Sequence, residues 1–217
     1  MIKRLFNRND NIAILIAGIF SIIIGLGVAR FAFTGLIPAM LDDYLTIKFV
    51  GILASLNFAG YLSGSIFSIF VKDINFKVYL YRFGIFLAIS TTFILAYSDN
   101  NTLWMLGRVL AGFAGAMCLI VGTSIVMQKL TIKSKTKAMG IHFSGIGFSI
   151  LTTDLLARFV LSLNYTWRDS WAVLAVFAII LSLYSVYILS FDKEVKQNAV
   201  KVKFDISIFT PFVIVLI

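Results

Sequence analysis

Arg30 and Arg108 each stand inside a long apolar run. A charge in such a run is costly unless it is paired or hydrated, which makes it a functional candidate by default. The guanidinium is a planar fork that grips a carboxylate or phosphate through two parallel hydrogen bonds, so the chemistry on offer is anion binding. The competing reading is structural, with each arginine bonding backbone carbonyls or extending its head toward an interface. Asp154 is the only acid deep in an apolar run, and Arg158 follows four residues later on the same helical face. That pair is either a proton site tuned by the arginine or a structural ion pair near the end of its helix. His142 titrates near neutral pH in an ordinary setting and is a second proton candidate. Its alternative is an interfacial residue at the start of its helix, beside the lysine-rich stretch from Lys129 to Lys137. Asn57, Tyr61, Gly64 and Ser68 share one helical face. They either line a cavity or pack through the small-residue spacing of Gly60 and Gly64. Trp104 lies one turn before Arg108 and either covers a ligand or anchors at a membrane interface.

No catalytic set accompanies these residues, and the chain reads as a non-enzyme. Gly25 to Arg30 (GLGVAR) begins like a dinucleotide fingerprint but lacks the third glycine and a preceding strand. No phosphate loop with a Gly-Lys-Ser or Gly-Lys-Thr ending is present, which argues against an ATP-driven pump on this chain. No His or Cys cluster supports a metal, and no cofactor is implied. The single cysteine, Cys118, excludes an intrachain disulfide.

The elements that must position these side chains are membrane helices. Of 217 residues, 60% are hydrophobic and only 13% charged, with a mean hydropathy of +0.97. So few charges cannot cover a water-facing surface, which excludes an ordinary soluble enzyme, a disordered regulator and a secreted disulfide scaffold. A hydrocarbon core about 30 Å thick needs roughly 20 apolar residues in a helix. Apolar runs over Asn11–Leu41, Phe49–Val71, Val78–Ser98, Asn100–Gln128, Ala138–Phe159 and Ser170–Phe191 predict six transmembrane helices. Ile206–Ile217 predicts the opening of a seventh, about half the length needed to cross. The organisation expected is therefore a bundle over 1–191, a charged cytoplasmic linker over 192–205 and an incomplete helix over 206–217.

Basic residues collect on alternate loops: Lys3, Arg4 and Arg8; Lys72 and Lys77; Lys129 to Lys137; Lys193 to Lys203. The positive-inside rule makes those loops and the amino terminus cytoplasmic. The net charge of +9 is then a topology signal and not a nucleic-acid footprint, because no soluble domain presents it. On this orientation Arg30 and Arg108 both fall in the outer half of the bilayer. Internal similarity adds a repeat. Asn57-Phe58-Ala59-Gly60 lines up with His142-Phe143-Ser144-Gly145, and Ala29-Arg30 with Gly107-Arg108, so helices one to three resemble helices four to six in inverted orientation.

The run GLGVARFAFTGLIPAM (Gly25 to Met40) resembles the first-helix signature of the YbfB/YjiJ-type branch of the major facilitator superfamily. GILASLNFAGYLSGS (Gly51 to Ser65), GRVLAGFAGA (Gly107 to Ala116) and GIHFSGIGFSI (Gly140 to Ile150) resemble its second, fourth and fifth helices. The resemblance covers essentially the whole chain. It implies an all-α fold of twelve helices in two six-helix bundles, with substrate passing between them by alternating access. It also places helices one and four beside the central cavity. Arg30, Arg108, Thr34, Asn57, Tyr61 and Trp104 are then the expected substrate contacts, and Asp154 and His142 the expected proton-coupling groups. The loop after helix two, VKDINFKVYLYRFG, departs from the superfamily's usual acidic and basic gating loop, with Asp73 as its remnant acid. The expected function is secondary transport of a small organic solute, carboxylate- or phosphate-bearing if the arginines bind it, driven by a proton gradient across a bacterial inner membrane. Its expected partners are the lipid bilayer and a missing carboxy-terminal bundle. The alternative is a non-transporting bundle that pairs with another chain.

Overall fold

The computed structural model describes residues 6–41, 43–131 and 135–190. Among these, six helices are long and apolar enough to cross a membrane: α1 Asn11–Leu41, α2 Ile47–Ile69, α3 Ile74–Tyr97, α4 Asn101–Lys129, α5 Lys135–Ser162 and α6 Trp167–Ile188. The expected linker over 192–205 and seventh helix over 206–217 lie outside the described residues.

Polar side chains in the loops set the helix starts. Asp10 accepts from the Ile12 amide, Thr46 from Phe49, Asp73 from Phe76 and Asn100 from Thr102 and Leu103. Thr166 and Asp169 cap α6 reciprocally, each side chain taking the other's amide. These caps explain why α3 and α6 begin three to four residues before their apolar runs. Asp73 is occupied as the α3 cap. Lys77 belongs to the first turn of α3, where its ammonium donates to Ser124 Oγ at 2.9 Å.

The bundle is organised around α1 and α4, which are buried over most of their length, whereas α2 and α5 are buried over less than a third of theirs. Two seams hold it. α4 packs on α2 so closely that a Cβ on Gly60 would lie 2.0 Å from the Val109 carbonyl oxygen, and one on Gly112 would lie 2.0 Å from that of Asn57. α1 packs on α5 through Gly27, whose Cβ would meet the Ser149 carbonyl at 3.0 Å and the Thr153 methyl at 2.9 Å. In lipid such contacts rest on dispersion and close backbone approach, so the missing side chain is the requirement. Gly60→Val is expected to lower stability by about 1–3 kcal/mol or more through overpacking. Gly51→Ala, at a position with nothing within 4 Å, should leave it unchanged or raise it by the helix-propensity gain of about 0.5–1 kcal/mol. Thermal unfolding of the two variants side by side in detergent checks this.

At the end of the bundle formed by the α1–α2, α3–α4 and α5–α6 connections, Tyr44, Trp104 and Trp167 form an aromatic cluster. Tyr44 donates to the Asp99 carbonyl, Trp167 donates to Asp43, and Arg168 pairs with Asp99. Aromatic residues with polar tips fit the level of lipid headgroups. The outward faces of α2 and α5 carry exposed Phe58, Leu62 and Ile66, and Phe148, Leu151 and Leu155.

Candidate functional site

The middle of α1 is not a regular α-helix. Ile23–Phe31 forms wide π-type turns, and Met117–Val121 of α4 does the same. Such turns accommodate a surplus residue and recur at functional sites. They meet here: a Cβ on Gly25 would fall 2.3 Å from the Cβ of Cys118. The sequence places the weak point of helix one at Pro38. The structure instead keeps Pro38 within the regular stretch Ala32–Leu41 and puts the irregularity a turn and more earlier.

Arg30 closes that wide segment. Its guanidinium lies 4.4 Å from the Tyr61 ring centre and 4.6 Å from that of Phe58, both on α2. Phe31 stands at 5.7 Å. Ring faces attract a cation through their quadrupole without neutralising it, so the in-plane N–H groups keep their charge and their capacity for an anion. Arg30 is half-buried, and Thr34, one turn further along α1, is exposed.

Arg108 is 2% exposed. It donates one hydrogen bond, from Nη1 to the Ala29 carbonyl at 3.1 Å, and lies 4.3 Å over the Phe33 ring. Its Nε is buried without a partner. Asn57 donates to the Arg108 carbonyl at 3.0 Å. The structural alternative thus describes part of Arg108, since one N–H serves a backbone carbonyl. No carboxylate among the described residues pairs with Arg30 or Arg108, and the two guanidiniums lie within electrostatic range of each other. The arrangement is a positive pair, one member buried and one accessible, with more donors than the protein fills.

The other expected contacts separate from this pair to different degrees. Asn57 and Tyr61 touch it directly. Trp104 is fully buried in the aromatic cluster, with its indole N–H on the Ser98 carbonyl at 2.7 Å. Asp154 pairs with Arg158 at 2.7 Å and lies against α1 at Gly35, where a Cβ would meet its Oδ1 at 2.7 Å. His142 is at the opposite end of α5. It is not at the helix start, as its sequence position suggests, but two turns inside it, because α5 begins at Lys135; it is 1% exposed. Phe58 and Phe33 are contacts that sequence reasoning passed over. The signal for Phe58 was its spacing three residues before Tyr61, which puts both rings on one strip of α2.

A profile of the family described as "Uncharacterised MFS-type transporter YbfB" matches residues 22–215. The chain belongs to this major facilitator family. It is also similar to the "Protein TsgA homolog" of Buchnera aphidicola subsp. Baizongia pistaciae (strain Bp), 23% identical over 161 residues, which cover 73% of this chain and 41% of that protein. The chain thus matches about two fifths of the length of that curated relative. Within this major facilitator bundle, the paired arginines stand on the two helices that form its core.

Proposed function

We propose that this bundle is the amino-terminal half of a secondary transporter that carries a small organic anion by alternating access, with the proton gradient of a bacterial inner membrane as its driving force. The observation that carries the reading is the pair of guanidiniums in α1 and α4 with no carboxylate partner among the described residues. Arg30 is the accessible member and takes the anionic group. Arg108, held on Ala29, adds its field from behind. Asn57, Tyr61 and Thr34 complete the wall on this side, and a second bundle supplies the other. The exposed apolar faces of α2 and α5 fit the contact with that second bundle, as does the matched length of the relative. Asp154 and His142 are the titrating candidates for proton coupling.

The seams also support a three-plus-three inverted repeat. Gly27 of α1 faces Ser149 and Thr153, and Gly112 of α4 faces Asn57 and Tyr61, two pairs with the same four-residue spacing. On that correspondence Asn57 matches Ser149, not His142. Arg30 and Arg108 are then not counterparts: inversion sends counterparts off the midplane to opposite depths, whereas these two share the outer half.

Uptake into vesicles with an imposed pH gradient, profiled across solute classes, tests the reading. Carboxylates or phosphate esters should accumulate, and a profile made up of cations alone would refute it. The lysine asymmetry supports a cytoplasmic amino terminus. Single cysteines in a Cys118→Ser background at Lys48, Asn101 and Tyr165 should react with an impermeant thiol reagent on intact cells. Cysteines at Asp73, Lys133 and Lys196 should stay unlabelled, and the reverse pattern would invert the topology.

A further inference from the structure

His142 is the chain's one histidine. Its Nε2 lies 2.9 Å from Thr123 Oγ1 of α4, and its Nδ1 is buried with no hydrogen-bond partner. The cause is Gly18 of α1. A Cβ there would stand 2.6 Å from Nδ1 and 2.7 Å from Cε1, so the α1 backbone closes over that edge of the ring. One turn on, a Cβ on Gly145 would lie 3.3 Å from the Ile19 side chain, continuing the same tight contact.

A neutral imidazole carries one N–H and an imidazolium carries two. With its N–H on Nε2 the neutral ring donates to Thr123 and leaves only a bare lone pair at Nδ1. A second proton would create an N–H aimed at the α1 backbone, where no acceptor stands. The charged and titratable groups at this end of the bundle are Arg8 and Asp10 just ahead of α1, Lys77 and Tyr81 on α3, Lys129 on α4, Lys135 and Lys137 on α5, and Tyr184 and Tyr187 on α6. None of them reaches Nδ1. A buried donor without an acceptor is costly, and a charged one more so. The second proton and the closed contact between α1 and α5 therefore exclude each other.

We propose that Nδ1 of His142 is a proton-binding site whose occupancy opens the contact between α1 and α5 at Gly18. The proton passes from water to the Nδ1 lone pair once α1 has moved far enough for water to reach it, and the imidazolium's new N–H is then hydrated. Because the proton binds only the separated arrangement, acidification shifts the population toward that arrangement, by up to tenfold per pH unit. The inference rests on the packing around the ring and stands whether or not the solute is an anion.

The experiment uses the 217-residue chain in lipid nanodiscs with ¹⁵N-labelled imidazole, where one histidine gives one set of signals. At about pH 8 the ring should be neutral with its proton on Nε2. On acidification to about pH 3.5, below the ordinary histidine range because the closed contact resists the second proton, the protonated signal should appear together with roughly tenfold faster amide exchange over Ala13–Ile22, corrected for intrinsic rates. His142→Gln keeps a side-chain N–H for Thr123 but has nothing to protonate, and the pH response of α1 should vanish. Gly18→Ala forces the contact apart, and the ring should then protonate at higher pH. A ring that stays neutral throughout, or that protonates with no change in α1, would overturn the proposal, as would an equal exchange response in His142→Gln. Should His142→Gln fail to fold, the ring signal and the α1 exchange of the unmodified chain decide alone.

Discussion

Arg30→Ala is expected to abolish transport while the protein still inserts and folds. The guanidinium contacts two rings on α2 and no carboxylate among the described residues. Its removal therefore forfeits the cation–π attraction, about 0.5–2 kcal/mol for a half-buried cation, and leaves no orphaned acid behind. The loss for an anionic solute is far larger, because the charged partner in the site disappears. Breaking such a pair costs about 2–5 kcal/mol, a fall in affinity from roughly thirtyfold to several thousandfold. Arg30→Lys should fail as well, since lysine keeps the charge but loses the planar fork that binds two carboxylate oxygens at once. Initial uptake rates of the three proteins, normalised to the amount inserted, check this. Full activity in Arg30→Lys would reduce the requirement to a point charge.

The second large effect concerns the bundle by itself. Alternating access needs two bodies that rock about a site between them. The arginine pair lies on α1 and α4, and the flanking α2 and α5 show their apolar faces outward. Purified six-helix monomers in vesicles are expected to give no gradient-driven uptake above empty vesicles, and co-reconstitution with a second bundle should restore it. Robust uptake by monomers would contradict the two-body account. Uptake by dimers alone would favour a second copy as the opposing body.

The number of spans and the clustering of lysines were legible in composition, because length and apolarity are what a bilayer demands of a helix. The starts of α3 and α6 were less so. Asp73, Thr166 and Asp169 are polar residues whose role as caps depends on chain geometry and not on hydropathy. The wide turns at Ile23–Phe31 left no compositional trace: shifting a hydrogen bond from the fourth to the fifth residue back changes nothing in the sequence. Arg30 and Arg108 stand out as charges in apolar runs, but nothing in the local pattern distinguishes the accessible one from the sealed one. That difference comes from Ala29 and Phe33 lying against Arg108, whereas Arg30 is flanked by the rings of Phe58 and Tyr61 on α2 and of Phe31 on α1 and stays half-open. His142 looked interfacial from its lysine-rich neighbourhood. Its burial is the work of Gly18, more than a hundred residues away in the chain, which no local pattern reveals.

The claim that Arg30 holds the solute's anionic group is tested most directly by measuring affinity and thermal stability on the same purified Arg30→Ala protein. The solute should be the best carboxylate or phosphate ester found by uptake profiling. The expected result is a loss of about 2–5 kcal/mol in affinity with a melting temperature close to that of the unmodified protein. Unchanged affinity with a large fall in stability would contradict it, and would leave Arg108 as the remaining cation for the site.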